Sequence, residues 1–122
     1  MDTDETTEKI IGAAYTVSNA LGSGFLEKVY ENALAYELRQ MGLKVEQQKP
    51  IAVSYRGVVV GSYFADFLVE GLILVEVKTV RTLDEIHLAQ CLNYLKATGL
   101  RHGLLLNFGR PKVQVKRVVY GY

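Results

Sequence analysis

Residues 72–80, Leu-Ile-Leu-Val-Glu-Val-Lys-Thr-Val, constrain the fold more than any other stretch of the chain. On a strand, Leu72 and Leu74 share one face and Ile73, Val75 and Val77 the other, because successive side chains alternate. A strand that is apolar on both faces has to be covered on both, so the chain needs a sheet with helices packed on it. Yet Glu76 and Lys78 stand on the Leu72–Leu74 face. A buried carboxylate is costly unless it is paired or meets a metal. Taken alone, Glu-x-Lys fits a simple ion pair, charges emerging where the strand leaves the core, or a functional site.

The flanking segments supply the covering helices. Ile10, Ile11, Ala14, Val17 and Leu21 recur at helical spacing over residues 5–21, and Gly22-Ser23-Gly24 breaks the pattern. Leu26, Val29, Tyr30, Ala33, Leu34, Leu38 and Met41 predict a second helix over residues 25–41, stopped by Gly42. The pattern then changes to strands at Val45–Gln47, Ile51–Tyr55, Val58–Val69 and Leu72–Val80. Arg56-Gly57 and Glu70-Gly71 are the turn signals between them. Thr82, with Glu85 three positions on, predicts a capping box opening a third helix that ends at Gly99. Residues 101–108 and 113–120 read as two closing strands. The order α-α-β-β-β-β-α-β-β gives an α/β or α+β fold, one domain spanning residues 1–122.

Composition narrows the setting. No apolar run approaches the roughly 18 residues that span a bilayer, and the start of the chain is acidic rather than a basic leader. The lone Cys91 cannot form an internal disulfide, so a reducing cytoplasm is the expected compartment. A net charge of +1 hides a polarity: all 13 acids lie in residues 1–85. Residues 86–122 carry Lys96, Arg101, Arg110, Lys112, Lys116 and Arg117 with no acid. Such a basic third can present a phosphate-binding face, or it can be a solvated surface.

Asp66 adds a second charge in an apolar run, placed on one strand face with Phe64 and Leu68. A three-residue loop at Glu70–Leu72 sets Asp66 directly opposite Glu76, whereas a two-residue loop sends them to opposite faces. Facing carboxylates repel without a cation, and Mg2+ is a hard ion that takes such oxygens. On the third helix His87, Gln90 and Tyr94 form a polar stripe. On the second, Glu27 stands in the first turn with Tyr30 one turn on, also a common arrangement for complementing the helix dipole.

Taken in order, these motifs resemble the PD-(D/E)XK nuclease superfamily, and within it the small GxxExxY family. Gly24-Phe-Leu-Glu27-Lys-Val-Tyr30 is similar to the naming motif, and Asp66 followed by Glu76-Val77-Lys78 to the metal-binding core. Gln90-Cys-Leu-Asn-Tyr94 is similar to the Q-x-x-x-Y helix of RecB-type members. Ala65 departs from the proline of "PD". The resemblance implies a restriction-endonuclease-like core with a central mixed sheet, and Mg2+-dependent phosphodiester hydrolysis with Mn2+ able to substitute. It implies metal binding by Asp66, Glu76, the Val77 carbonyl and Glu27. It also implies a catalytic set of Glu27, Asp66, Glu76, Lys78, Gln90 and Tyr94. The expected partner is nucleic acid, DNA before RNA, with no membrane role, and a homodimer is compatible with the chain. The alternative from another class is a catalytically silent nucleic-acid-binding or scaffold protein on the same fold.

Overall fold

The structure, a computed structural model, describes residues 1–121. Helices α1 (Thr3–Leu21) and α2 (Glu27–Gln40) lead into strands β1 (Val45–Tyr55), β2 (Val58–Val69) and β3 (Ile73–Lys78). Helix α3 (Glu85–Thr98) then crosses to β4 (His102–Asn107) and β5 (Gln114–Val119). The sheet order is β1-β2-β3-β4-β5. Only β3 and β4 run parallel, the consequence of the α3 crossover, so the sheet is mixed.

Both faces of β3 are covered, as its sequence requires. Ile73, Val75 and Val77 pack with Ile10, Leu34 and Tyr30 from α1 and α2. Leu74 packs on the other side with Cys91 and Leu95 of α3. The result is an α+β fold of helices on either side of a central sheet.

Two expectations need correction. Residues 45–55 are one strand rather than two, so three strands precede α3. Gln48 adopts a left-handed φ of 56°, and the ladder skips it, passing from Gln47↔Phe67 to Lys49↔Ala65 in the same register; Pro50 is tolerated because β1 is an edge strand. Helix α3 is capped by Asp84, not Thr82. Asp84 Oδ1 accepts the Ile86 N–H (3.0 Å), and His87 Nδ1 accepts the Asp84 N–H (3.1 Å). Asp84 is as good a cap as threonine, and His87 fills the reciprocal position usually taken by Glu.

A switch of faces accompanies the Gln48 kink. Ala65 belongs to the α3-side core and Phe67 to the opposite one, although residues two apart on a regular strand share a face. Gln47 likewise reaches α2, whereas Ile51 packs towards α3. Phe64 is consequently exposed while Leu68 is buried, so the two do not share a face with Asp66 as a regular strand would have it. The strands therefore twist sharply at Gln48 and Asp66, the point where the site lies.

Candidate active site

The paired ladder of β2 and β3 stops at Phe67↔Val75, in the register of a three-residue loop. The next position in that register sets Asp66 beside Glu76, and there the carboxylates replace the ladder. The Asp66 N–H donates to Glu76 Oε2 (2.9 Å), and the Val77 N–H donates to Asp66 Oδ2 (2.7 Å). Each acid is thus pinned by the main chain of the other's strand. Val77 supplies this N–H while its side chain fills the α1/α2-side core.

Glu76 is only 4% exposed. Burial, followed by the charge of Asp66, pushes its carboxyl up to about 8. Burial also raises Asp66, against the hydrogen bond from Val77. The charge of Asp66 adds to the burial of Glu76, so ionisation of both acids together is opposed. Without a cation, then, the two titrate as a coupled carboxyl pair.

Lys78 shares the Glu76 face, and its Nζ donates to Gln90 Oε1 at 3.0 Å. Tyr94 stands one turn on from Gln90, and its hydroxyl pKa is raised by burial and then by the charge of Glu76. The one-turn spacing of Gln90 and Tyr94 puts both on one side of α3, and that side meets Lys78. Helix α2 approaches from the other layer. Its first residue, Glu27, lies near the Thr79 backbone, and burial followed by the charge of Asp66 raises its pKa. Six side chains from two helices and two strands therefore converge on one end of the sheet.

The glycine–glutamate–tyrosine spacing has a mechanical cause. The Tyr30 hydroxyl donates to the Gly22 carbonyl (2.6 Å) and accepts the Phe25 N–H (3.2 Å). Its ring stacks on Phe108, centroids 4.9 Å apart. Gly24 has φ 113°, a conformation that suits glycine alone. Tyr30 thereby ties down the loop from which Glu27 emerges.

Three contributors escape a reading of the sequence. Glu31 accepts bonds from Gln47 (2.6 Å), Lys28 (3.0 Å) and Gln48 (3.1 Å), and Gln48 Nε2 also lies 3.5 Å from Asp66 Oδ1. Its one available signal was a spacing of one helical turn from Glu27. Asn107, parallel partner of Lys78, holds Val80 by donating to its carbonyl (2.8 Å) and accepting its N–H (2.9 Å). Gly109 lies so close that a Cβ there would come within 2.6 Å of the Val80 nitrogen.

The other candidates scatter. His87 is occupied as the α3 cap. Arg117 pairs with Glu8 of α1 (2.8 Å), whereas Lys116, its neighbour on β5, lies beside Leu83 and Leu88 on the α3 side. Lys112 sits 5.6 Å over the Tyr15 ring. Arg101 precedes β4 at the end of the sheet away from Lys78, while Arg110 follows Phe108, whose N–H donates to the Lys78 carbonyl. Lys96 borders a groove along α3. The six cations thus occupy both faces and both ends.

Among the described residues, no three His, Cys, Asp or Glu side chains form a cluster that encloses a metal. What the site offers is a half-buried Asp66 beside a buried Glu76, with Glu27 nearby. That donor set fits Mg2+, which binds through one or two carboxylates and keeps most of its waters.

A family model described as the PD-(D/E)XK nuclease superfamily matches residues 4–118. Two solved structures share the fold. The crystal structure of SSO0001 is 21% identical with a TM-score of 0.57, covering 98% of this chain. This chain spans 60% of that protein. An alkaline exonuclease from Laribacter hongkongensis is 13% identical with a TM-score of 0.54, covering 95% of this chain and 83% of its own. No curated protein matches the sequence. The chain belongs to the PD-(D/E)XK nuclease superfamily.

Proposed function

We propose that this member of the superfamily hydrolyses phosphodiester bonds of nucleic acid, DNA in preference to RNA, as a Mg2+-dependent nuclease. The reading takes residues 1–122 as one nuclease-like domain working in the cytoplasm, with Mn2+ able to replace Mg2+. The observation that carries it is the juxtaposition of half-buried Asp66 and buried Glu76, two acids whose joint ionisation is opposed until a cation joins them. Asp66 and Glu76 would hold the ion, with the Val77 carbonyl and Glu27 completing its protein contacts. The ion supplies a Lewis acid for the phosphoryl oxygen and lowers the pKa of a bound water.

The chain's own residues do the rest. Water attacks phosphorus in line with the leaving oxygen; the P–O bond to that oxygen breaks and the oxygen takes up a proton. Lys78 offsets the charge that develops on the phosphoryl oxygens, a role that depends on its being held in place beforehand. Gln90 holds the Lys78 ammonium, and Tyr94 flanks Gln90 one turn on along the same side of α3. Gln90 and Tyr94 act by position. The resemblance to the GxxExxY family and to the RecB-type helix motif belongs to the same reading, supported by the Tyr30 tie and the Gln90–Lys78 bond.

The test is cleavage of single-stranded, double-stranded and branched DNA, with RNA counterparts, in Mg2+ and in chelator, by wild type and Glu76→Gln. Mg2+-dependent cleavage absent in the variant is expected. Binding of nucleic acid with no cleavage of any substrate in either ion would assign the chain as a silent binding or scaffold protein.

A further inference from the structure

Between α3 and the distal half of the β1–β2 hairpin lies an open groove of about 840 Å³. It begins at the candidate site, because Gln90 and Tyr94 line both, and runs along α3 past Asn93 to Lys96. Val53, Val60, Ile86 and Ala97 form its apolar walls. Tyr63 rises from the hairpin, leans on Tyr94 with centroids 5.6 Å apart, and remains 48% exposed. Ile86 at the groove edge is 73% exposed. No acid lines the groove, although acids make up 13 of the 122 residues.

Each feature discriminates between ligands. A duplex presents phosphates and hides its base faces, so duplex binding relies on several Lys/Arg contacts. Here Lys96 is the one cation against apolar and aromatic walls. Aromatic platforms with a modest cationic rim bind single strands, whose bases offer open π-faces. The choice of DNA over RNA is carried over from the nuclease reading. We infer that this groove is the path of a single-stranded DNA segment leading to the phosphate at the candidate site, with one base stacking on Tyr63. The inference rests on the nuclease reading for its direction and for DNA over RNA, and on the groove lining for a single strand.

Fluorescence anisotropy in chelator tests it without turnover, using a labelled single-stranded DNA oligonucleotide, the same sequence as RNA, and the DNA duplex. The variants are Tyr63→Ala, Tyr63→Phe and Ala89→Glu, the last placing an acid on the exposed groove side of α3. Wild type should bind the single strand most tightly. Tyr63→Ala and Ala89→Glu should weaken that binding by roughly tenfold or more, and Tyr63→Phe should retain it. Circular dichroism melts of each variant identify any that fail to fold, and Ala89→Glu gives the reading if Tyr63→Ala does. Binding of duplex or RNA as tightly as single-stranded DNA, unchanged in Tyr63→Ala, overturns the groove assignment. If duplex cleavage then still requires Glu76, the nuclease reading survives that failure. Tyr63-dependent single-strand binding without cleavage by wild type overturns the nuclease reading alone.

Discussion

Glu31 and Glu76 are both almost fully buried, 3% and 4% exposed, and their surroundings are opposite. Glu31 is met by donors: two glutamine amides and a lysine. Burial alone would raise its pKa, but the bonds from Gln47, Lys28 and Gln48 outweigh it and hold it below the ordinary value. Glu76 is met by another acid and a single main-chain N–H; burial and the charge of Asp66 outweigh the Lys78 ammonium on the same face, and its pKa is pushed up to about 8. An acid whose purpose is structural is given donors enough to be ionised in the dry protein. Glu76 is left short of positive charge, a deficit that an added cation would satisfy. The two pockets adjoin through Gln48, which reaches both Glu31 and Asp66.

The sharpest break of this comparison is in turnover. Glu76→Gln should reduce single-turnover cleavage by roughly 10²–10³-fold or more, the scale of losing one preorganised charge partner. Glu31→Gln should reduce it less than tenfold, since Glu31 acts through Gln48. Equal losses in the two variants would erase the distinction.

Stability without metal should reverse the ranking. Glu31→Ala should lower the free energy of unfolding by about 1–3 kcal/mol, because three donors lose a charged acceptor. Glu76→Gln should be neutral or stabilising at pH 8, because it removes repulsion with Asp66. Urea unfolding in chelator measures both.

The pH dependence follows with opposite signs. Glu76 titrates near 8 in the folded chain against an ordinary 4.5, so the folded state holds the proton more tightly. Its contribution to stability is fully present below pH 4.5 and is lost as pH rises towards about 8. Glu31, with a lowered pKa, contributes above its ordinary value and loses that contribution as pH falls. Melts of the metal-free protein across this range should show both arms. Glu76→Gln should flatten the upper arm only.

The smallest effect concerns the helix that carries both Glu27 and Glu31. Tyr30→Phe removes the hydroxyl tie to Gly22 and Phe25 and should lower stability by about 1 kcal/mol. Amide exchange should quicken at Phe25 and leave the Gln47 region unchanged, since Glu31 is pinned independently.

Much of the site was legible in advance because it depends on local periods. Alternation along residues 72–80 puts Glu76 and Lys78 on one face, and one-turn spacing puts Gln90 and Tyr94 together. Loop length alone decided whether Asp66 met Glu76, and the observed register is the three-residue one. What stayed hidden depends on contacts distant in sequence. A left-handed glutamine at position 48 has no local signal, because Asn and Gly are the residues that ordinarily mark such a turn. Two of the three donors to Glu31 come from 16 and 17 residues away. The basic third looked like one patch because its residues are close in sequence, yet strand alternation sends Lys116 and Arg117 to opposite sides.

The central claim is that the Asp66–Glu76 couple is built for a divalent cation and the Glu31 pocket is not. Melting temperature against Mg2+ concentration at pH 8, for wild type, Glu76→Gln and Glu31→Gln, tests it most directly. Binding to the folded state alone raises stability with the logarithm of ion concentration. Wild type and Glu31→Gln should therefore rise with Mg2+ while Glu76→Gln stays flat. A flat wild-type curve, or a rise undiminished in Glu76→Gln, would contradict it.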